Sequence, residues 1–371
     1  MKILHINCNY MDSWLHQTMI NELENLGVKN EVFVPVYSRD DHIVAPNKNV
    51  NVAVCFSKID RLFYHIKQKK IINRVRQDYD IIEFCNLHAY TVFTDGNVAR
   101  KLAKEFGIPY VVAVRNTDVN VFFKYMIHLR KTGVKVLKDA KAVFFLSSTY
   151  QKQIIETYIP SKYRNEILQK SYIVPNGIDL YWHENLYNSH EILMQLDLFK
   201  RKKIKLVYAG VIDKNKNISK TCEAIKLLES EGWDIEFIVV GKIKDKDAFA
   251  AIKKFINYVG PKTKEELINI FRQSDLFIMP SHTETFGLVY AEAMSQGLPV
   301  LYTKGQGFDG QFLEGVVGYA VSDTDARDIS VKIKKCILNY EKLRKNCLTF
   351  VNKFRWDEIC KKYISIYQGN V

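Results

Sequence analysis

Glu284 and Glu292, with seven residues between them, stand in the stretch PSHTETFGLVYAEAMSQGLPV (280–300). The preceding DLFIMPS (275–281) reads as a strand, TETFG as a turn and LVYAEAMSQG as a helix stopped by Gly297. On a helix taken from Thr285 to Ser295, at about 100° per residue, Glu292 projects from the second turn. Glu284 lies in the loop just ahead. A helix N-terminus at the carboxyl edge of a parallel sheet is an anion site, with free N–H groups and the positive end of the dipole. Gly287 lets an anion approach the backbone closely. With a phosphate there, Glu292 is placed to accept hydrogen bonds from a ribose diol, and Glu284 meets hydroxyls beyond the phosphates. Phosphate between ribose and sugar describes a nucleotide sugar. Spacing alone also fits a loop carboxylate and a solvated helix position.

The neighbouring motifs favour the ligand. VYAGVIDKNKNISKT (207–221) reads as a strand, a glycine turn at Gly210, a polar loop and a helix. Lys216 would project from that loop into the same crevice and neutralise a diphosphate. GQGFDG (305–310) matches Gly-x-Gly-x-x-Gly literally, but it falls on a late strand, and Gly315 breaks the segment after it. A dinucleotide fingerprint needs the first βα unit and a full helix. This loop is expected beside the crevice instead, supplying N–H groups or shape to the donor.

The elements that must carry these residues alternate. Strands are expected at 2–7, 30–36, 80–85, 109–115 and 142–147, with helical patterns between them, such as 15–27 and 96–107. The rhythm breaks at SYIVPNGIDLYWHENL (171–186), where Pro175-Asn176-Gly177 signals a turn. It then restarts with strands at 204–210, 234–241, 257–260, 275–281 and 299–303 and helices at 219–232, 247–256 and 263–274. Alternation of this kind predicts parallel sheets covered on both faces. The fold class is α/β with two doubly wound domains: residues 1–180, residues 181–350, and a final helical segment at 351–371.

Taken in order, AGVIDKNKN, IEFIVVG, INYVG and DLFIMPSHTETFGLVYAEAMSQGLPV resemble the nucleotide-binding domain of retaining glycosyltransferases of family 4. YIVPNGID (172–179) is similar to that family's interdomain stretch, and FRWDEICKKYISIY (354–367) to its C-terminal helix, which crosses back to the first domain. The resemblance implies the GT-B fold, two Rossmann-like domains facing a central cleft, with the acceptor on the first and the donor on the second. It implies that Lys216 binds the donor diphosphate and Glu284 the transferred sugar, as the catalytic pair. Backbone at Thr285, Phe286, Gly287 and Leu288 meets the phosphates, and Glu292 holds the ribose. Gly210, Val259 and Gly260 complete the nucleotide site. The implied co-substrate is a nucleotide-diphosphate sugar, UDP-sugar favoured, with neither cofactor nor metal. The implied reaction retains anomeric configuration, with the acceptor proton taken up by the leaving phosphate.

There are departures from the family pattern. Val211 stands where an arginine is usual, leaving Lys214 or Lys304 to replace the cation. NCNYMDSWLH (7–16) replaces a double-glycine loop, which brings Asp12 and Ser13 to the acceptor side. A common histidine after PYVVAV gives way to RNTD, which offers Asn116 as a catalytic-side amide and Asp118 near the acceptor. His88 and Asp95 are further acceptor-side candidates.

The bulk figures bound the partners. The chain has 371 residues, 47% hydrophobic, and a net charge of +13, with 25 basic against 17 acidic side chains in the first 180 residues. No apolar run is long enough to span a bilayer, and MKILHINCNYMDSW reads as a first strand rather than a leader, so a cytoplasmic location is expected. Seven cysteines without metal spacing read as reduced thiols. The basic segments 58–77 and 124–141 interleave lysine and arginine with apolar residues. They read either as core-facing helices with solvated basic faces or as surfaces for anionic lipid, which would make this a peripheral membrane enzyme with a lipid-linked or glycan acceptor. The leading expectation is a hexosyltransferase of surface polysaccharide or glycolipid synthesis. The alternatives are another GT-B enzyme (a nucleotide-sugar epimerase or a phosphorylase) or a basic nucleic-acid-binding protein. The last lacks any recognisable nucleic-acid module, so no nucleic-acid partner is expected.

Overall fold

The computed structural model describes residues 1–37, 48–187 and 202–370. They form two units: residues 1–176 together with 356–371, and residues 177–355.

The first unit holds a seven-stranded sheet. Its strands are β1 (Lys2–Ile6), β2 (Lys29–Val36), β3 (Val50–Val54), β4 (Asn86–Ala89), β5 (Tyr110–Val114), β6 (Ala142–Phe145) and β7 (Ser171–Ile173). All pairings are parallel, in the order β3-β2-β1-β4-β5-β6-β7. Both faces are covered, so the strands read as near-continuous apolar runs. One face buries the helices Tyr64–Asp78, Asn97–Phe106 and Arg130–Asp139. The other buries the helix Trp14–Asn25 through Met19, Ile20 and Leu23, and the helix Trp356–Gln368 through Trp356, Ile359, Tyr363 and Tyr367.

The strand expected at 80–85 lies one segment later. Ile81–Glu83 makes a single 3-10 turn; Ile81 and Phe84, three residues apart, are buried and Ile82 is exposed. The ladder with β1 runs through Asn86–Ala89 instead. A three-residue apolar spacing won over apparent alternation.

The second unit holds a six-stranded parallel sheet, order β10-β9-β8-β11-β12-β13. Its strands are β8 (Lys203–Ala209), β9 (Asp234–Val240), β10 (Asn257–Gly260), β11 (Leu276–Met279), β12 (Val300–Thr303) and β13 (Gly318–Val321). The helix Lys264–Arg272 opens with a capping box, Thr263 with Glu266. The helix expected at 247–256 stops at Ile252 and passes into a 3-10 turn, Lys253–Phe255. In each sheet the chain reverses direction of winding between two neighbours, β1/β4 and β8/β11. In doubly wound sheets such a point opens a crevice at the carboxyl edge, where ligands bind. Among the described residues, no helix is long and apolar enough to cross a membrane.

Candidate active site

The crevice of the second unit lies where β8 and β11 end side by side. The loop after β8 is fixed to the loop after β11 by Asn215. Its carbonyl accepts from the His282 N–H (2.8 Å), and its side chain both accepts from the Thr283 N–H (3.0 Å) and donates to the Thr283 carbonyl (2.9 Å). Asn217 sits in the left-handed region (φ +53°), which asparagine tolerates better than most side chains. Its buried amide donates to the carbonyls of Pro280 (3.0 Å) and Asp323 (2.7 Å). Asp213 accepts from the Lys216 N–H at 3.1 Å and closes the turn.

This stitching carries Lys216 to Glu284. Lys216 Nζ lies 2.6 Å from Glu284 Oε2, and both side chains are mostly covered. Glu284 is held from further sides: its N–H donates to Gln306 Oε1 (2.9 Å), its carbonyl accepts from the Gly307 N–H (3.0 Å), and its Oε1 accepts from the Thr285 N–H (3.1 Å). The 305–310 loop thus holds the Glu284 backbone directly.

The helix begins at Leu288, the first residue of LVYAEAMSQG, and not at Thr285, because Gly287 is left-handed (φ +73°) and ends the turn before it. A Cβ at Gly287 would also lie 2.5 Å from the Tyr290 ring. Gly287 supplies no side-chain cap, so the first turn of Leu288–Ser295 presents its N–H groups without one. Phe286 is buried against Phe308 and Phe354, which anchors this turn. The backbone is as tight at Gly307, where a Cβ would sit 1.7 Å from the Thr285 carbonyl oxygen. Gly307→Ala is expected to cost about 1–3 kcal/mol of stability, as overpacked sites do. Thermal denaturation checks this, and unchanged melting would contradict the packing described.

Glu292 projects from the second turn of that helix. Burial pushes its carboxyl up to about 7; the Lys264 charge acts against that shift, and the Asp179 charge adds to it. Lys264 and Asp179 are themselves ion-paired. The Glu284 and Glu292 carboxylates therefore occupy different surroundings, one paired with a cation, the other held near neutrality.

Gly210 ends β8 and donates to the Val240 carbonyl (2.9 Å). The chain passes so closely there that a Cβ on Gly241 would meet the Gly210 oxygen at 1.8 Å. Val259 and Gly260 close β10, and the Gly260 carbonyl accepts from the Gly241 N–H at 2.9 Å. Val211 is exposed beside them. Of the two lysines that could replace its missing cation, Lys214 points to Asp245 at 3.8 Å, and Lys304 is exposed at the end of β12.

The remaining candidates belong to the first unit. Asp12 is exposed after β1, and the Ser13 hydroxyl caps no helix N–H. Asn116 follows β5, and its amide oxygen accepts from the Asn120 side chain. His88 and Asp118 require correction as acceptor-side groups. His88 lies within β4, fully buried, stacked on Tyr90 at 4.5 Å with Nδ1 2.6 Å from the Tyr367 hydroxyl. Burial holds its imidazole well below the ordinary range, hence neutral. Asp118 is fully buried and accepts from the N–H groups of Val92 (3.0 Å), Phe93 (3.3 Å) and Arg115 (2.9 Å). It ties two loops together rather than facing solvent. Asp95 is likewise buried, accepting from Thr91 (3.0 Å) and the Cys8 N–H (3.2 Å).

Asn215, Asn217 and Gln306 were not foreseen as site residues. The Asn-Lys-Asn run was the available signal, since asparagine both enters the left-handed region and bonds backbone across a loop.

Residues 191–350 match the family model described as glycosyl transferases group 1. An uncharacterised glycosyltransferase of Methanocaldococcus jannaschii is 23% identical over 310 residues, 80% of each chain. A capsular polysaccharide biosynthesis glycosyltransferase of Staphylococcus aureus, CapM, is 29% identical over 142 residues, 37% of each chain. Among solved structures, HepE of Anabaena in complex with UDP superposes over 100% of both chains with a TM-score of 0.72 at 15% identity. Residues 191–350 are thus similar in sequence to the glycosyl transferases group 1, and the protein is a glycosyltransferase of the hexosyl-transferring type with the GT-B fold.

Proposed function

We propose that the protein transfers a hexosyl unit from a UDP-sugar to a hydroxyl of a glycan, glycolipid or polyol-phosphate acceptor, with retention at the anomeric carbon, during assembly of a surface polysaccharide. The observation that carries this reading is the Lys216–Glu284 pair beside the uncapped helix turn at Gly287–Leu288. The UDP bound to HepE and the capsular role in the name of CapM support the donor and the pathway class.

In this reading the diphosphate lies against the N–H groups of residues 286–288, with Lys216 on its outer oxygens. The bond between the anomeric carbon and the β-phosphate oxygen breaks while the acceptor oxygen bonds that carbon on the same face. The acceptor proton passes to the departing phosphate oxygen. Negative charge grows on the diphosphate, and Lys216 and the helix dipole are already oriented toward it. Glu284 accepts hydrogen bonds from sugar hydroxyls, and Glu292 from the ribose diol. No metal is required where these groups neutralise the leaving group. Working on lipid-linked acceptors places the enzyme peripherally at the inner face of the membrane.

Incubation with UDP-, GDP- and ADP-sugars, followed by nucleotide release, tests the reading. UDP release from a UDP-sugar is expected, and no release from any donor would overturn it. The anomeric coupling in the product tests retention.

A further inference from the structure

The helix Tyr64–Asp78 divides its apolar residues in two. Ile71, Ile72 and Val75 are buried in the core, whereas Ile59, Leu62, Phe63 and Ile66 at its entry are exposed, Leu62 by 83%. A second exposed set, Val121, Tyr125 and Ile127, lies between β5 and the helix Arg130–Asp139. The two sets are neighbours within the first unit. The Tyr64 hydroxyl donates to the Phe93 carbonyl (2.8 Å), and the Phe93 ring stacks on Phe122 at 4.7 Å. Single exposed apolar residues are ordinary, but two adjoining sets of this size mark an interaction surface.

Next to them is a cavity of about 520 Å³. Lys131, Lys135 and Lys138 enter it from one face of the helix Arg130–Asp139, spaced four and three apart, and Lys162 from the segment opposite. Among the described residues, none of these four lysines has an ion-pair partner. The one lining carboxylate, Asp139, is paired with Arg100 at 2.6 Å. Arg130 joins the cavity to the apolar set. It donates to the Phe123 (2.6 Å) and Lys124 (3.1 Å) carbonyls and lies over the Tyr158 ring at 5.1 Å. An uncompensated cationic hollow fits phosphate, and apolar tips beside it fit the acyl–headgroup boundary.

We infer that this face of the first unit docks on a bilayer containing acidic phospholipid, with Leu62, Phe63, Tyr125 and Ile127 entering the boundary layer and the lysine cavity taking a headgroup phosphate. The inference rests on the reading that the acceptor is presented at a membrane, and it names the surface that meets it.

Flotation of the full chain with vesicles of phosphatidylcholine alone, or with phosphatidylglycerol added, tests it, alongside calorimetry with UDP on the same samples. Binding is expected to phosphatidylglycerol vesicles only and to weaken with salt. At least a tenfold loss is expected for L62D/I127D and separately for K131E/K135E, with UDP affinity unchanged within about twofold. Several outcomes would overturn the docking while normal UDP binding left the donor site standing. These are no flotation at low salt, equal binding to neutral vesicles, or an L62D/I127D variant that floats like the wild type. Competition by free inorganic phosphate at millimolar concentration, with no effect of L62D/I127D, would assign the cavity to a soluble anion and overturn it as well. Loss of UDP binding in the wild type would instead strike the donor reading.

Discussion

Lys216→Ala is expected to lower kcat for sugar transfer by about 10²–10³-fold, the loss seen when one charge-stabilising donor is removed from an active site. The reason is positional. Lys216 stands 2.6 Å from Glu284, at the end of β8 where the crevice opens, and two asparagines hold its loop. In the proposed reaction its interaction would strengthen as charge builds on the leaving diphosphate, so kcat is expected to fall more than KM rises. Removal also leaves Glu284 mostly covered without its cation, which costs about 1–3 kcal/mol of stability. Lys216→Arg keeps the charge but not the shape, and an intermediate rate is expected. Lys214→Ala is the control: Lys214 is exposed and directed at Asp245, so activity should stay within about twofold. A kcat for Lys216→Ala within threefold of wild type would contradict the assignment.

The affinity for an intact UDP-sugar should rise about tenfold between pH 6 and pH 8, because the Glu292 carboxyl titrates near 7 and only its ionised form accepts from both ribose hydroxyls. A sugar diphosphate and uracil do not ionise in that window, so the slope belongs to the protein. Glu292→Gln is expected to bind more weakly at pH 8 and to lose the slope. The stability effect has the opposite sense. A carboxyl whose folded value lies above its unfolded one binds its proton more tightly in the native state. Its cost to folding is absent at low pH, grows as pH rises from about 4.5 to about 7, and stays above that. Glu292→Gln should therefore be more stable than wild type at pH 8, on the order of 1–3 kcal/mol, and equal to it near pH 4.5. Calorimetric titrations and denaturation at both pH values check the pair of effects. A flat wild-type profile would contradict the role given to Glu292.

The second unit was legible because its strands and helices alternate without interruption and its motifs lie on consecutive crossovers. LVYAEAMSQG reads as a helix from Leu288, where the structure starts it, and only the projection of Glu292 takes the helix from Thr285. The left-handed turn at Gly287 is a backbone property, and the apolar pattern around it continues through the turn. In the first unit the errors came from burial. His88 and Asp118 are polar residues near strand ends, the ordinary look of a site, yet both are buried in the core and hydrogen-bonded there. Their partners, Tyr367 for one and the amides of Val92 and Phe93 for the other, are distant in sequence and leave no local signal. The basic stretch 58–77 had two readings, and the structure distributes them along one segment: core contact at Ile71–Val75, exposure at Ile59–Ile66. Periodicity cannot show that division, since it depends on where the helix overhangs the sheet.

The most direct measurement is a crystal structure of the protein with UDP bound. The expected result is a diphosphate whose oxygens accept from the N–H groups of residues 286–288 and from Lys216 Nζ, with Glu292 on the ribose. UDP bound at any other place, or those amides facing only solvent while UDP is held, would contradict the account.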